Sequence, residues 1–174
     1  MSRRQTVRPD PSPHVTPEGA RALQDELAGL WQRRAGVVAA LAAAAAEGDR
    51  SENAEYIYRR KELRHLDRRL GYLQRRIPGL QVVRNVAHAD RVLFGAWVEL
   101  EDESGNLERK RIVGSDEIDR HADHVSIDSP LARALLGKRP GAEVTLRLAQ
   151  GPVTWLLCRV GYASGDGGID WCDA

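Results

Sequence analysis

The chain has 174 residues, 42% hydrophobic and 29% charged, enough for one or two small domains with an aliphatic core, since it holds a single Phe. It has no run of about 18 apolar residues, which excludes a transmembrane helix, and residues 1–13, MSRRQTVRPDPSP, lack the apolar stretch of a signal peptide. Net charge is +2 over residues 1–15, +3 over 16–79 and −4 over 80–174, which points to two modules with different partners and away from a free-standing nucleic-acid binder.

Thr16 followed by Pro17 reads as a helix start, a hydroxyl cap and then proline at the first helical position. From there Ala20, Leu23, Leu27, Leu30, Val37, Leu41 and Ala44 recur at steps of three and four, with Arg34 filling one seam position. Residues 40–48, ALAAAAAEG, are strong helix formers of little bulk, and Gly48 ends the helix. A second helix is predicted from near Ser51, with its seam at Tyr56, Arg59, Leu63, Leu66, Leu70, Leu73 and Ile77, stopped by Pro78 and Gly79. At 1.5 Å per residue the two helices span roughly 45 and 39 Å. So short a connection between them requires antiparallel neighbours, a finger with EGDRSENAEY, residues 47–56, at its end.

Strands are expected at 91–100, where Val92, Phe94, Ala96, Val98 and Leu100 share a face, and at 109–114, 123–128, 142–150 and 153–163. DESGN, 102–106, reads as a hairpin turn. SPLARALLG, 129–137, reads as a short helix with a Ser cap, Pro at its first position and Gly past its end. Strands with one interposed helix make an α+β domain. The sequence thus divides into a tail at 1–14, the finger at 15–79, the β domain at 80–163, and a Gly/Asp-rich tail at 164–174 expected to fray. Cys158 and Cys172 have no metal-ligand spacing and read as free thiols of a reducing cytoplasm. The histidines at 14, 65, 88, 121 and 124 form no ligand cluster or triad.

Asp49-x-x-Glu52 fits a capping box with aspartate as the cap. The same spacing lets two carboxylates face one way within a first helical turn and serve a metal or a water. Along the second helix Arg60, Lys61, Arg64 and Arg68 recur near helical spacing, and residues 53–79 are net +5. Such a run is either a solvated face or a stripe that holds phosphates through salt-sensitive contacts. Glu62 and Gly71 interrupt it in the sequence.

GDRSENAEY (48–56), LDRRLGYLQRRI (66–77), LFGAWVEL (93–100), RIVGSDEI (111–118) and SIDSPLARALLG (126–137) together resemble the bacterial Gre transcript cleavage factors, the GreB type in particular, over residues 15–162. The resemblance implies a coiled-coil finger followed by an FKBP-like β-sheet domain. It also implies a monomer that is not itself a nuclease, whose partners are bacterial RNA polymerase and the 3′ end of backtracked RNA. The tip would enter the polymerase secondary channel. Asp49 would help hold a Mg²⁺ shared with the polymerase site, and Glu52 would orient or deprotonate the attacking water. Ser51 and Asn53 would position the loop, and Arg60, Lys61, Arg64 and Arg68 would hold RNA. Asp128, Ser129 and Pro130, with Asp116 and Glu117 nearby, would meet the channel rim. Two readings from other classes remain open at this point: a channel-binding regulator that blocks without cleavage, and a helical-hairpin adaptor or chaperone.

Overall fold

The computed structural model describes residues 10–46, 54–84, 90–149, 151–164 and 168–173. Contacts divide the chain into a helical unit, Ala20–Leu80, and a β unit made of Met1–Gly19 with Gln81–Ala174. The first turn of the long N-terminal helix and the segment before it therefore belong with the β unit, whereas the sequence pattern places the start of the finger at residue 15. The physical reason is a two-stranded parallel pair. Strand β1, His14–Val15, pairs with β2, Gln81–Val82, and Gln81 and Val83 donate backbone N–H groups to the carbonyls of Pro13 and Val15.

The helical unit is a hairpin. Helix α1 is Pro17–Ala46 and helix α2 is Ala54–Arg76, followed by a 3₁₀ turn at Ile77–Gly79. The expected seams are the covered ones: Leu23, Val37 and Ala44 are buried on α1, and Leu66, Leu70 and Leu73 on α2. Three ion pairs cross the seam, Arg69–Glu26, Arg34–Asp67 and Arg33–Glu62, each at 2.6 Å. Glu26, early in α1, meets Arg69 late in α2, while Arg33 and Arg34, further along α1, meet Glu62 and Asp67 earlier in α2, which is the antiparallel arrangement.

The β unit is built on a six-stranded sheet of order β5-β4-β3-β7-β6, with β8 also on β7. Its strands are β3 (Trp97–Asp102), β4 (Leu107–Val113), β5 (His124–Ser126), β6 (Glu143–Leu148), β7 (Gly151–Ala163) and β8 (Ile169–Asp173). Only β4 and β5 run parallel among these neighbours. Helix α3, Pro130–Leu135, packs Ala132 and Leu135 into a core with Val98, Leu100, Ile112, Val144, Leu157 and Val160. Asp102 closes the β3–β4 turn by accepting from the N–H groups of Ser104 and Asn106, and Gly105 takes φ +80° there.

Two strand expectations change. The segment 91–96 keeps the expected alternation, with Val92 and Ala96 fully buried, but it is not a strand. Gly95 turns at φ +83°, and the Tyr162 hydroxyl holds the segment by donating to the Arg91 carbonyl and accepting from the Leu93 N–H. Residues 169–173, expected to fray, form β8 against β7. Its Trp171 ring is covered by the guanidinium groups of Arg159 and Arg109, 5.0 and 5.5 Å from the ring centre. Gly161 leaves room beneath it, since a Cβ there would come 2.9 Å from the Trp171 ring.

Both arginines also bind Glu99, which is 6% exposed. Arg159 donates to both its oxygens at 2.8 and 2.9 Å and Arg109 at 3.1 Å. Burial works to raise the Glu99 pKa, but the bonds from Arg159 and then Arg109 outweigh it and hold the carboxyl below its ordinary 4.5. The ionised form is therefore favoured in the folded state. Its stabilisation is present above the ordinary value and is lost as pH falls through the lowered folded one. Glu99→Gln is expected to lower the thermal midpoint at pH 7, and the gap from the parent should close as pH falls through the lowered folded value. A gap that persists unchanged in acid would show that the charge is not what stabilises this site.

The start of α1 is fixed by a buried carboxylate. Glu117, 2% exposed, accepts from the Thr16 N–H at 3.0 Å, the Gly114 N–H at 2.8 Å and the Thr16 hydroxyl. The same hydroxyl accepts from the Gly19 N–H at 2.9 Å, so the expected Thr16 cap is formed. A Cβ on Gly19 would lie 1.9 Å from Glu117 Oε2, whereas nothing comes within 4 Å of one on Gly29 or Gly36. Gly36→Ala is expected to gain up to about 1 kcal/mol from helix propensity. Gly19→Ala, in the same helix, should instead lose about 1–3 kcal/mol by driving the carboxylate off its donors. Denaturant unfolding of both variants checks this, and equal gains would refute the fit around Glu117.

Candidate functional site

Asp49, Ser51, Glu52 and Asn53 lie outside the described residues. They belong to the seven-residue segment, 47–53, that joins the end of α1 at Ala46 to the start of α2 at Ala54. Among the described residues no group of His, Cys, Asp and Glu could hold a metal ion.

The basic residues of α2 separate into two sets. Arg69 reaches across to α1, and Arg59 is held by carboxylates of its own helix. Arg69 grips both oxygens of Glu26 at 2.6 and 2.9 Å, and Arg59 binds Glu55 at 2.7 Å and Glu62 at 3.1 Å. Arg60, Lys61, Arg64 and Arg68 are all exposed and form no ion pair among the described residues. Lys61, Arg64 and Arg68, with Asp67, line an open groove of about 460 Å³. An open basic groove is a surface on which phosphates can exchange with bound counterions.

The two interruptions seen in the sequence have different fates. Glu62 is not on the stripe. Its side chain is 12% exposed and lies on the flank of the seam, taking Arg33 at 2.6 Å and Arg59 at 3.1 Å. Hydrogen bonds from Arg33 and then Arg59 outweigh the effect of burial and lower its pKa. Gly71 is covered by a neighbour one turn on: a Cβ there would be 3.4 Å from Nη1 of Arg75. The guanidinium of Arg75 thus lies over the gap. Sequence spacing could have indicated this, because residues 71 and 75 are an i, i+4 pair.

The corner of the β unit expected to meet the polymerase rim is one connected structure. Ser115 Oγ donates to Asp128 at 2.6 Å, and Asp128 also accepts from the Ser12 N–H at 2.8 Å. The turn at 114–117 is thereby tied to the turn at 126–130. Ser129 caps α3, accepting from the Ala132 N–H at 3.1 Å. Pro130 is exposed and Asp116 half-buried. Glu117 departs from the expectation. Its carboxylate points inward to the start of α1, so this side chain offers no surface to a partner. Sequence spacing carries no signal for that contact, because 101 residues separate Glu117 from Thr16.

Residues 14–82 match the family model described as transcription elongation factor, N-terminal, and residues 87–162 match transcription elongation factor, GreA/GreB, C-term. The chain belongs to the GreA/GreB family of transcription elongation factors. Among individual relatives, it is 51% identical over 164 residues to transcription elongation factor GreB of Pseudomonas aeruginosa, covering 93% of this chain and 98% of that one. It is 56% identical over 153 residues to transcription elongation factor GreB of Xanthomonas axonopodis pv. citri, covering 86% and 91%. Among solved structures it is similar to the GreA factor homolog 1 protein of Thermus thermophilus, at 20% identity and a TM-score of 0.40 over 84% of this chain and 97% of that one. The C-terminal family match stops at residue 162, so β8 lies beyond it.

The two sets of α2 charges should separate in a stability measurement. Arg64→Ala or Arg68→Ala is expected to leave the thermal midpoint nearly unchanged, because among the described residues neither side chain has an ion pair to lose, and Arg64 gives up only a long, exposed bond of 3.4 Å to the Arg60 carbonyl. Glu62→Ala strands Arg33 and Arg59 on the flank of the seam and should lower the midpoint measurably. Loss of stability in Arg64→Ala as large as in Glu62→Ala would show that the stripe is structural.

Proposed function

We propose that this chain is a transcript cleavage factor of the GreB type, which stimulates bacterial RNA polymerase to cut backtracked RNA. Family membership over both units supports the elongation-factor reading. The observation that carries the RNA-directed part is the stripe Arg60, Lys61, Arg64 and Arg68, without ion pairs among the described residues, on the helix that starts next to the acidic segment. On the same helix Arg59 and Arg69 are paired with carboxylates. In this reading the stripe holds the phosphates of extruded RNA, and the 47–53 segment carries Asp49 and Glu52 into the secondary channel.

The donor set suits a shared metal rather than a resident one. Magnesium keeps several waters and takes one or two carboxylates with phosphate oxygens, which is what Asp49 and Glu52 can add to a site another protein already supplies. When bound, the metal lends Lewis acidity and neutralises charge developing on the phosphoryl oxygens. Asp49 supplies a carboxylate ligand. Glu52 accepts the proton of the attacking water, and Ser51 and Asn53 hold the segment in register. The corner at Asp116, Asp128, Ser129 and Pro130 faces the rim of the channel, and the protein remains a monomer in the cytoplasm.

Asp49→Ala and Glu52→Ala should each abolish stimulated cleavage of end-labelled RNA in backtracked complexes while still competing with the parent for polymerase. Loss of a helix cap costs only about 1 kcal/mol, so folding is expected to survive. Full cleavage by either variant would remove the chemical assignment. Inhibition without cleavage by the parent protein would identify a channel blocker instead.

A further inference from the structure

On the flank of the hairpin, beside the basic groove, lies a second open groove of about 270 Å³, lined by Arg33, Tyr58, Lys61, Glu62 and His65. It lies below the roughly 300–1,000 Å³ of pockets that enclose a drug-sized ligand, and suits one base with its phosphate. Tyr58 is 58% exposed beside Ile57 at 53%, and it is the aromatic ring among the groove's charged lining. Its ring is not loose. The Arg59 guanidinium lies 5.4 Å from the ring centre and is itself fixed by Glu55 and Glu62. Arg33, with a side chain 64% exposed, is held over the groove by Glu62. Lys61 lines both this groove and the one containing Arg64 and Arg68. The aromatic ring and the cations therefore form one continuous track around the solvent side of α2.

We propose that Tyr58 is a stacking platform for one base of single-stranded RNA, whose flanking phosphates are taken by Lys61 and Arg33. The inference rests on the reading of α2 as an RNA-contacting helix and adds a base contact to what would otherwise be a track of phosphate contacts alone. Phosphate contacts position a strand without distinguishing base from no base. An aromatic platform adds a contact that needs the base, commonly about tenfold in affinity, and tolerates any sequence because every base has a π-face. The pre-ordered ring lowers the entropy lost on binding. Tyr58 acts here as a positioning residue and takes no part in bond breaking.

The test uses the full chain and two fluorescent probes, an eight-nucleotide oligoadenylate and the same ribose-phosphate backbone without bases, with binding read by anisotropy. The parent should prefer the base-bearing probe about tenfold. Tyr58→Ala should lose that preference while keeping the salt dependence set by the cations, and Tyr58→Phe should retain it. In backtracked complexes, an abasic nucleotide at one position of the extruded RNA should slow cleavage with the parent and not with Tyr58→Ala. Equal binding of the two probes by the parent, no measurable binding of oligoadenylate, or a preference that survives in Tyr58→Ala would each overturn the proposal. So would a loss of polymerase competition in Tyr58→Ala with RNA binding intact, which would make the ring a protein contact. Should the parent fail to stimulate cleavage, the cleavage-factor reading falls, while the anisotropy experiment still decides the stacking site.

Discussion

A single buried carboxylate organises the β unit's grip on the start of α1. Glu117 sits 2% exposed with three donors, the N–H groups of Thr16 and Gly114 and the Thr16 hydroxyl. A buried carboxylate without partners would be costly, and one with three donors beside a helix N-terminus is favourable, because the helix presents unpaired N–H groups and partial positive charge there. The neighbourhood is shaped to admit it. Gly19 has no side chain to strike the carboxylate, and Gly114 lets the backbone approach the His14 carbonyl, which would be 2.3 Å from a Cβ. From this point the β1–β2 pair and the Ser12–Asp128–Ser115 links extend to the turns before α3. The expected polymerase-facing corner is thus built from the same bonds that seat the helix.

The hairpin sorts its charges by position. Exposed ion pairs contribute little individually, about 0–1 kcal/mol, so the apolar seam rather than the pairs holds the helices together. The pairs Arg69–Glu26, Arg33–Glu62 and Arg34–Asp67 instead set register and use up acids that could otherwise neutralise the outer face. What is left outside without an ion pair, among the described residues, includes the basic stripe Arg60, Lys61, Arg64 and Arg68. Unpaired surface cations cost little in stability in water and are free to exchange counterions for phosphates. Fold and proposed function therefore draw on different residues of one helix.

The far edge of the sheet is held by an arrangement of comparable economy. Glu99 binds Arg159 and Arg109, and both cover Trp171 of β8. The strand lies beyond the span of the C-terminal family match.

Much of this was determined by the sequence alone, wherever a signal is local. The seams follow from a period of three to four, the Thr16 and Ser129 caps from hydroxyls placed before proline, and the Asp102 turn from its Asp, Ser, Gly and Asn. The acidic pair Asp49 and Glu52 was legible only as part of a longer motif, since its spacing equally describes a helix cap. Only the tertiary structure decided the rest. A Gly/Asp-rich tail became a strand because Trp171 meets two arginines from β4 and β7. Glu62 left the basic stripe because α1 brings Arg33 to it, and Glu117 turned inward because Thr16 arrives from the other end of the unit's sequence. In each case the deciding partner is distant along the chain, and no local pattern records which donor a carboxylate will find once the backbone has closed.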